Sequence, residues 1–289
     1  MTAGTEPDSA RTITLDAHVH TDASYDCSTT PERVVEAALA AGLDGVAVTD
    51  HDAVDGARRA AAAAEGTDLL VVPGVEVSTA DGHLLALGVE WAPEADRPFG
   101  ETVTAVREAG GVAVVPHPFQ VSRHGVRRSV LAGCDIDGVE TRNAVAVTGY
   151  QNRRARQFAA AAGYPAIGGS DAHRPGLIGR AFTSVTLPDG VDWATMTVAD
   201  VLAGIRAGDA TAQGTVTTPV EFGKTYAWHA RDTAATAVDS ARAASATGRS
   251  AAGSHPVVGA GAVLGSALLV GSRGGRVGRV PRRIAGRIR

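Results

Sequence analysis

Asp16-Ala17-His18-Val19-His20-Thr21 closes the first apolar run of the chain with two imidazoles two residues apart. In a strand such residues point the same way, so His18 and His20 can grip one metal ion from one side. The pattern of an apolar run ending in ionisable groups then recurs. Val46-Ala47-Val48-Thr49 runs into Asp50-His51-Asp52, and Val71–Val75 into Glu76. Val114-Val115-Pro116 runs into His117, Pro165–Gly168 into Ser170-Asp171-Ala172-His173, and Asp81-Gly82-His83 stands just before Leu84-Leu85. A lone histidine is usually a hydrogen-bonded core residue, but six of the nine histidines fall at equivalent strand ends. Independent packing roles do not produce that coincidence. Imidazole and carboxylate ligands without thiolates suit Zn2+, Mn2+ or Fe2+.

The elements that must position these groups alternate. Apolar strands read at 12–17, 45–49, 69–72, 84–89, 112–115, 138–141, 165–168 and 182–187. Thr30-Pro31-Glu32 followed by Val34, Val35, Ala38, Leu39 and Gly42 has an N-cap hydroxyl, a first-turn proline, an apolar stripe and a stop glycine. Further helices are expected at 54–65, 101–109, 151–162 and 198–207. Strand–helix alternation of this kind predicts parallel βαβ units. Ligand sites in such folds lie at the carboxyl ends of the strands. A doubly wound sheet collects its ligands from two strands, whereas six contributing strands point to a ring. The expected fold is therefore α/β and barrel-like.

Bulk properties limit the alternatives. A chain of 289 residues suffices for one large α/β domain with an appendage. Two cysteines, Cys27 and Cys134, exclude a disulfide framework and a thiolate zinc site. Aromatics at 4% argue against binding through a row of stacked bases. Met1–Arg11 has no apolar core, so a cytoplasmic location is expected. Residues 221–289 hold 11 basic and 3 acidic side chains, leaving 16 basic and 28 acidic in the rest. That break predicts a barrel domain over 12–220 and a basic C-terminal extension over 221–289, peripheral or partly disordered. Its apolar run 257–270 is shorter than the roughly 20 residues a bilayer span takes.

Taken in order, HVHT (18–21 with His18 first), TDHD (49–52), PGVEVS (73–78), GHLL (82–85), PHP (116–118), VETRN (139–143), GSDAH (169–173) and IGRAFT (178–183) resemble the PHP (polymerase and histidinol phosphatase) superfamily of metal-dependent phosphoesterases. The resemblance implies a distorted (β/α)7 TIM-like barrel, here with a C-terminal Ala/Gly/Arg-rich appendage. It implies two or three divalent ions, Mn2+, Zn2+ or Fe2+, with His18, His20, Glu76 and Asp171 around one. Glu76, His83 and His117 would hold a second, with Glu76 as the bridge, and Asp26, His51 and His173 a third. Asp22 lies in the same loop as Asp26 and is the alternative there. Ions roughly 3.5–4 Å apart can clamp a phosphoryl group and bring a water pKa towards about 7. The nucleophile is then metal-bound hydroxide, with no catalytic Ser or Cys.

Cationic and donor groups are expected on the same rim. Arg123, His124, Arg127 and Arg128 follow the PHP tripeptide; Arg123, Arg127, Asn143 and Arg180 are the substrate-binding candidates. Arg174 is a further cation near the site, and Asp50 and Asp52 are candidates to orient His51. Only 33 residues separate His83 from His117, so the cap that nucleotide phosphatases and short-RNA exonucleases of the family insert there is missing. The expected activity is hydrolysis of a small phosphomonoester, a nucleotide or the end of a short oligonucleotide. The alternatives are a histidinol-phosphatase-like enzyme and a non-catalytic adaptor. In the adaptor, the seven arginines of 273–289 contact RNA or an anionic membrane.

Overall fold

The computed structural model describes residues 11–146, 148–218 and 220–221. His229, His255, the apolar run 257–270 and the arginine-rich 273–289 lie outside the described residues, as does nearly all of the expected extension.

The chain opens with strand β1 (Thr12–Val19), helix α1 (Pro31–Ala40), strand β2 (Gly45–Val48) and helix α2 (Asp55–Ala63). Thr30 caps α1 by accepting from the Arg33 amide, and Pro31 sits in its first turn. Then come β3 (Leu70–Thr79), β4 (Gly82–Leu87), α3 (Phe99–Glu108) and β5 (Val112–Val115). A short helix α4 (Arg128–Leu131) leads to β6 (Gly138–Asn143), α5 (Tyr150–Ala162) and β7 (Ala166–Gly169). The last elements are β8 (Ala181–Thr186), α6 (Val198–Ala207) and β9 (Ala210–Gly214). Among the described residues no helix is long and apolar enough to cross a membrane.

The nine strands form one sheet in the order β7-β6-β5-β4-β3-β2-β1-β8-β9. The sheet curls until its seventh strand meets its first. Val19 bridges Ala172 in parallel, the His20 amide donates to the Ala172 carbonyl at 3.0 Å, and the Asp171 amide to the His18 carbonyl at 2.8 Å. The lower half of β1, Thr12–Leu15, pairs instead with β8. The result is a nearly closed α/β barrel of seven strands, extended by an antiparallel β8–β9 flap.

The expectation of purely parallel units is corrected in two places. β4 runs antiparallel to both β3 and β5, and β8 and β9 are antiparallel to their neighbours. Only two residues, Ala80 and Asp81, separate β3 from β4, too few for the crossover a parallel pair needs. The reversal has a functional effect: the first residues of β4 lie at the same end of the ring as the last residues of its neighbours. The fold also contains β9, which its polar sequence did not announce.

Two apolar clusters separate inside from outside. Leu15, Ala47, Val72, Leu85, Leu87, Val112, Val114 and Ile167, from six ring strands, pack into one cluster with Val201, Leu202 and Ile205 of α6. Residues of α1, α2, α3 and α5 belong to the other. The first cluster therefore fills the ring, and α6 covers the end where β4 finishes, against Gly88. At β1 the alternation slips. Ile13, Leu15 and Ala17 join the inner cluster, but Val19 joins the outer one, and the pairing of β1 with β2 shifts register between Asp16 and Val19. That irregularity turns His18 and His20 into the ring above its apolar filling.

The closure of β7 on β1 depends on small residues. A Cβ at Gly169 would stand 2.6 Å from the His18 Cβ and 2.7 Å from Glu140 Oε1. Gly169→Ala is expected to cost about 1–3 kcal/mol of stability by overpacking, read from the urea midpoint. An unchanged midpoint would mean that the closure is looser than this geometry.

Candidate metal centre

The open end of the ring collects all nine ligand candidates. His18 and His20 arrive from β1, His51 follows β2, Glu76 lies in β3, His83 opens β4, His117 follows β5, and Asp171 and His173 follow β7. Asp26 comes from the loop between β1 and α1. His18, His20, Glu76 and Asp171 are at most 1% exposed.

Their atoms converge closely. His18 Nε2 faces His20 Nε2 at 3.1 Å. Glu76 Oε2 stands 3.0 Å from the first and 3.2 Å from the second, and Asp171 Oδ1 3.8 and 3.6 Å from them. Glu76 turns its other oxygen, Oε1, to His83 Nδ1 at 2.7 Å and His117 Nε2 at 2.9 Å. Asp26 Oδ2 lies 3.0 Å from His173 Nε2 and 3.6 Å from His51 Nε2, and His51 Nδ1 lies 3.6 Å from Glu76 Oε2. The two oxygens of one buried carboxylate thus serve two different sets of imidazoles.

Divalent ions fit these residues on three grounds. Four ligands about 2.1 Å from a tetrahedral centre are separated by about 3.4 Å, close to the spacing of His18, His20, Glu76 and Asp171. Buried atoms are left without hydrogen-bond partners here, among them Asp171 Oδ1, which faces His18 and His20, and His51 Nδ1. Finally, the charges require a cation. Burial would push the Glu76 carboxyl up, but His18 and His117 hold it well below the ordinary range. Burial acts likewise on Asp171, and Arg123 and His18 hold it well below. Conversely, burial opposes charging of His18 and His20, yet the neighbouring carboxylates raise His18 well above its usual value and His20 to about 9. In protons or in metal, the site calls for positive charge.

Two of the ligand candidates sit in left-handed turns. His117 and Asp171 adopt φ of 29° and 54°, and Asp52, beside His51, adopts 51°, a region uncommon for residues other than glycine. Asp50 and Asp52 do not orient His51. Asp50 accepts from the Thr21 amide at 2.5 Å and its hydroxyl at 2.7 Å, tying two site loops together, and Asp52 accepts from the Ser78 amide at 2.7 Å. Asp22 is drawn away from the cluster by Arg59, at 2.7 Å.

Of the four substrate-binding candidates, the structure brings two to the cluster. Arg123 pairs with Asp171 Oδ2, and Asn143 Nδ2 donates to the same oxygen at 2.8 Å. Arg180 instead pairs with Glu221 at 2.6 Å, and Arg127 is exposed before α4 with no contact to the cluster. Arg174 has no ion pair among the described residues.

Sequence reasoning overlooked Glu140. It is fully buried and accepts from His18 Nδ1 at 3.1 Å, the His117 amide at 2.7 Å and Asn143 Nδ2 at 2.9 Å. A carboxylate inside the apolar strand Gly138-Val139-Glu140-Thr141 was the available signal. Tyr25 is the second omission: 81% exposed, its ring stacks on His51 at 4.9 Å.

Known proteins resemble parts of this chain. The PHP domain model matches residues 16–148, and the model described as PHP-associated matches 149–210. An uncharacterised protein of Methanocaldococcus jannaschii is 29% identical over 140 residues, 45% of this chain and 81% of its own length. The 5'-3' exoribonuclease Rnm of Salmonella typhimurium is 36% identical over 105 residues, which are 34% of this chain and 36% of that protein. The chain thus spans only about a third of the exoribonuclease. Among solved structures, a Bacteroides vulgatus two-domain protein containing a predicted PHP-like metal-dependent phosphoesterase superposes with a TM-score of 0.58 at 19% identity. That match covers 73% of this chain and 67% of the other and bears on the fold alone.

Proposed function

We propose that this chain, which belongs to the PHP superfamily, is a metal-dependent phosphoesterase that hydrolyses phosphomonoesters, a nucleotide or the end of a short oligonucleotide being the substrate class. The observation that carries the reading is the convergence of eight imidazole and carboxylate groups around Glu76, with one guanidinium, Arg123, beside them. The ligand set proposed is His18, His20, Glu76 and Asp171, then Glu76, His83 and His117, then Asp26, His51 and His173. Mn2+, Zn2+ or Fe2+ suits such donors. Ions held there supply Lewis acidity and lower the pKa of water.

The chain's own groups do the rest. Glu140 accepts the Nδ1 proton of His18 and so leaves the Nε2 lone pair facing the cluster. Asn143 fixes Asp171 through Oδ2, which leaves Oδ1 free to face His18 and His20. Arg123, a quarter exposed at the mouth, presents a planar pair of donors matched to phosphoryl oxygens. Charge that builds on those oxygens as the ester bond breaks is stabilised by that guanidinium. In the overall reaction water supplies OH to phosphorus and a proton to the departing alkoxide.

Purified protein is expected to contain divalent metal, to lose phosphomonoesterase activity in EDTA, and to regain it with Mn2+. His18→Ala should lie at least about a hundredfold below wild type. Metal-free wild type that hydrolyses no phosphate ester under any divalent ion would refute the reading.

A further inference from the structure

Beyond the metal centre, the surface carries a group of arginines that the hydrolytic site does not use. Arg127 and Arg128 stand at the start of α4, and Arg153 and Arg154 in the first turns of α5; all four are exposed. Three of them lie over aromatic rings. Arg128 sits over Phe158 at 5.2 Å, Arg154 over Phe119 at 5.1 Å and Tyr150 at 5.8 Å, and Arg153 over Tyr150 at 5.6 Å. Phe119 and Phe158 meet edge to face at 5.4 Å, so the group shares one aromatic floor.

Among the described residues no carboxylate answers these charges. Among the described residues none of the four arginines takes part in an ion pair. The acids between Phe119 and Phe158 are occupied: Asp135 and Asp137 pair with Arg107 at 2.9 and 2.5 Å, and Glu140 is buried in the site. Yet residues 1–220 carry 28 acidic against 16 basic side chains. An unneutralised cationic patch on an acidic barrel marks an anion-binding surface.

Its place identifies the anion. Phe119 follows the ligand candidate His117 by two residues, at most about 7 Å of chain, and Arg123 of the same loop reaches Asp171. The patch therefore continues outward from the catalytic mouth. Arg123 pairs with Asp171 whereas Arg153 and Arg154 lie over rings on and beside α5, so a ligand that meets both places does so with more than one phosphate along its length. Tyr150, half exposed beside two guanidiniums, adds a face on which a base can stack. Resting on the phosphoesterase reading, we infer that Arg128, Arg153, Arg154 and Tyr150 form a backbone-binding surface for a single-stranded oligonucleotide whose terminal phosphate enters the metal centre. The low aromatic content rules out a long stacking row and leaves a surface dominated by phosphate contacts.

The test compares substrates of different length on the full chain. For the variant Arg128→Glu/Arg154→Glu, KM for a terminally phosphorylated pentaadenylate is expected to rise about tenfold or more. KM for AMP should change less than twofold, because a mononucleotide does not reach the patch. The salt slope for the pentamer should fall by about 0.7 for each phosphate that the variant no longer neutralises. In wild type the pentamer should protect the amides of 119–128 and 150–158 from hydrogen exchange, and AMP should not. Equal KM changes for the two substrates, or no protection of 150–158, would overturn the surface. Equal protection by inorganic polyphosphate, together with an inert Tyr150→Ala change, would overturn the nucleic-acid assignment. If the chain hydrolyses no phosphate ester at all, the phosphoesterase reading fails on its own. The exchange pattern still decides the surface.

Discussion

Glu76→Ala is expected to lower kcat by about three orders of magnitude, roughly 4 kcal/mol of transition-state stabilisation, and to reduce the metal content of the purified protein. The expectation follows from how Glu76 divides its two oxygens. Oε2 faces His18 and His20 at 3.0 and 3.2 Å, and Oε1 faces His83 and His117 at 2.7 and 2.9 Å. Loss of any single histidine weakens one set, whereas loss of Glu76 removes the anion common to both. The conservative change Glu76→Gln keeps the volume but puts an amide nitrogen where one of the two sets needs an acceptor. It should therefore still lose most activity and load less metal than wild type. Metal analysis beside steady-state kinetics checks both variants, and wild-type metal content with a tenth or more of the activity in Glu76→Ala would remove Glu76 from the centre.

Changes at Glu140 have the second-largest expected effect, although Glu140 is not one of the nine ligand candidates and acts through its contacts to His18 and His117. Glu140→Ala leaves the His117 amide and His18 Nδ1 without their acceptor in a buried place and takes one of two acceptors from Asn143 Nδ2. Stability is expected to fall by about 2–5 kcal/mol. Glu140→Gln is the sharper probe. Its amide presents one acceptor and one donor to a pocket in which His18 Nδ1, the His117 amide and Asn143 all donate. If the donor faces His18, the imidazole proton moves to Nε2 and the lone pair aimed at Glu76 and His20 is lost. Metal affinity should then fall by about 10–100-fold with a smaller loss of stability than in Glu140→Ala. Competition with a chelating dye and urea denaturation separate the two effects. Unchanged affinity in Glu140→Gln would show that His18 needs no positioning partner.

Much of the site was legible because ligands must be histidine, aspartate or glutamate, and because parallel strands deliver their ends to one place. His18, His20, His51, Glu76, His117, Asp171 and His173 stand out on that ground as ionisable residues closing apolar runs. Asp26 depended on the family resemblance, since the residues alone left Asp22 open. The structure separates the two by giving Asp22 to Arg59 and Asp26 to His173. The cationic rim was less legible. Arginine is compatible with nearly any exposed loop, so spacing did not distinguish Arg123, which reaches Asp171, from Arg127, which stays in solvent, or Arg180, which turns to Glu221.

By itself, then, the sequence determined that this chain gathers imidazoles and carboxylates at the ends of apolar strands, because burial constrains residue type locally and makes an ionisable group at the end of an apolar run stand out. Tertiary structure decided how they meet. The antiparallel turn of β4 brings His83 from a strand's beginning to the end shared by all the others. The slip in β1 aims His18 and His20 inward, and the closure of β7 on β1 carries Asp171 to them. Strand direction, strand phase and ring closure are set by pairing between residues far apart in the chain. For that reason the candidate ligands could be read from the sequence, and Glu76 with a separate oxygen for each of two sets of histidines could be seen only in the fold.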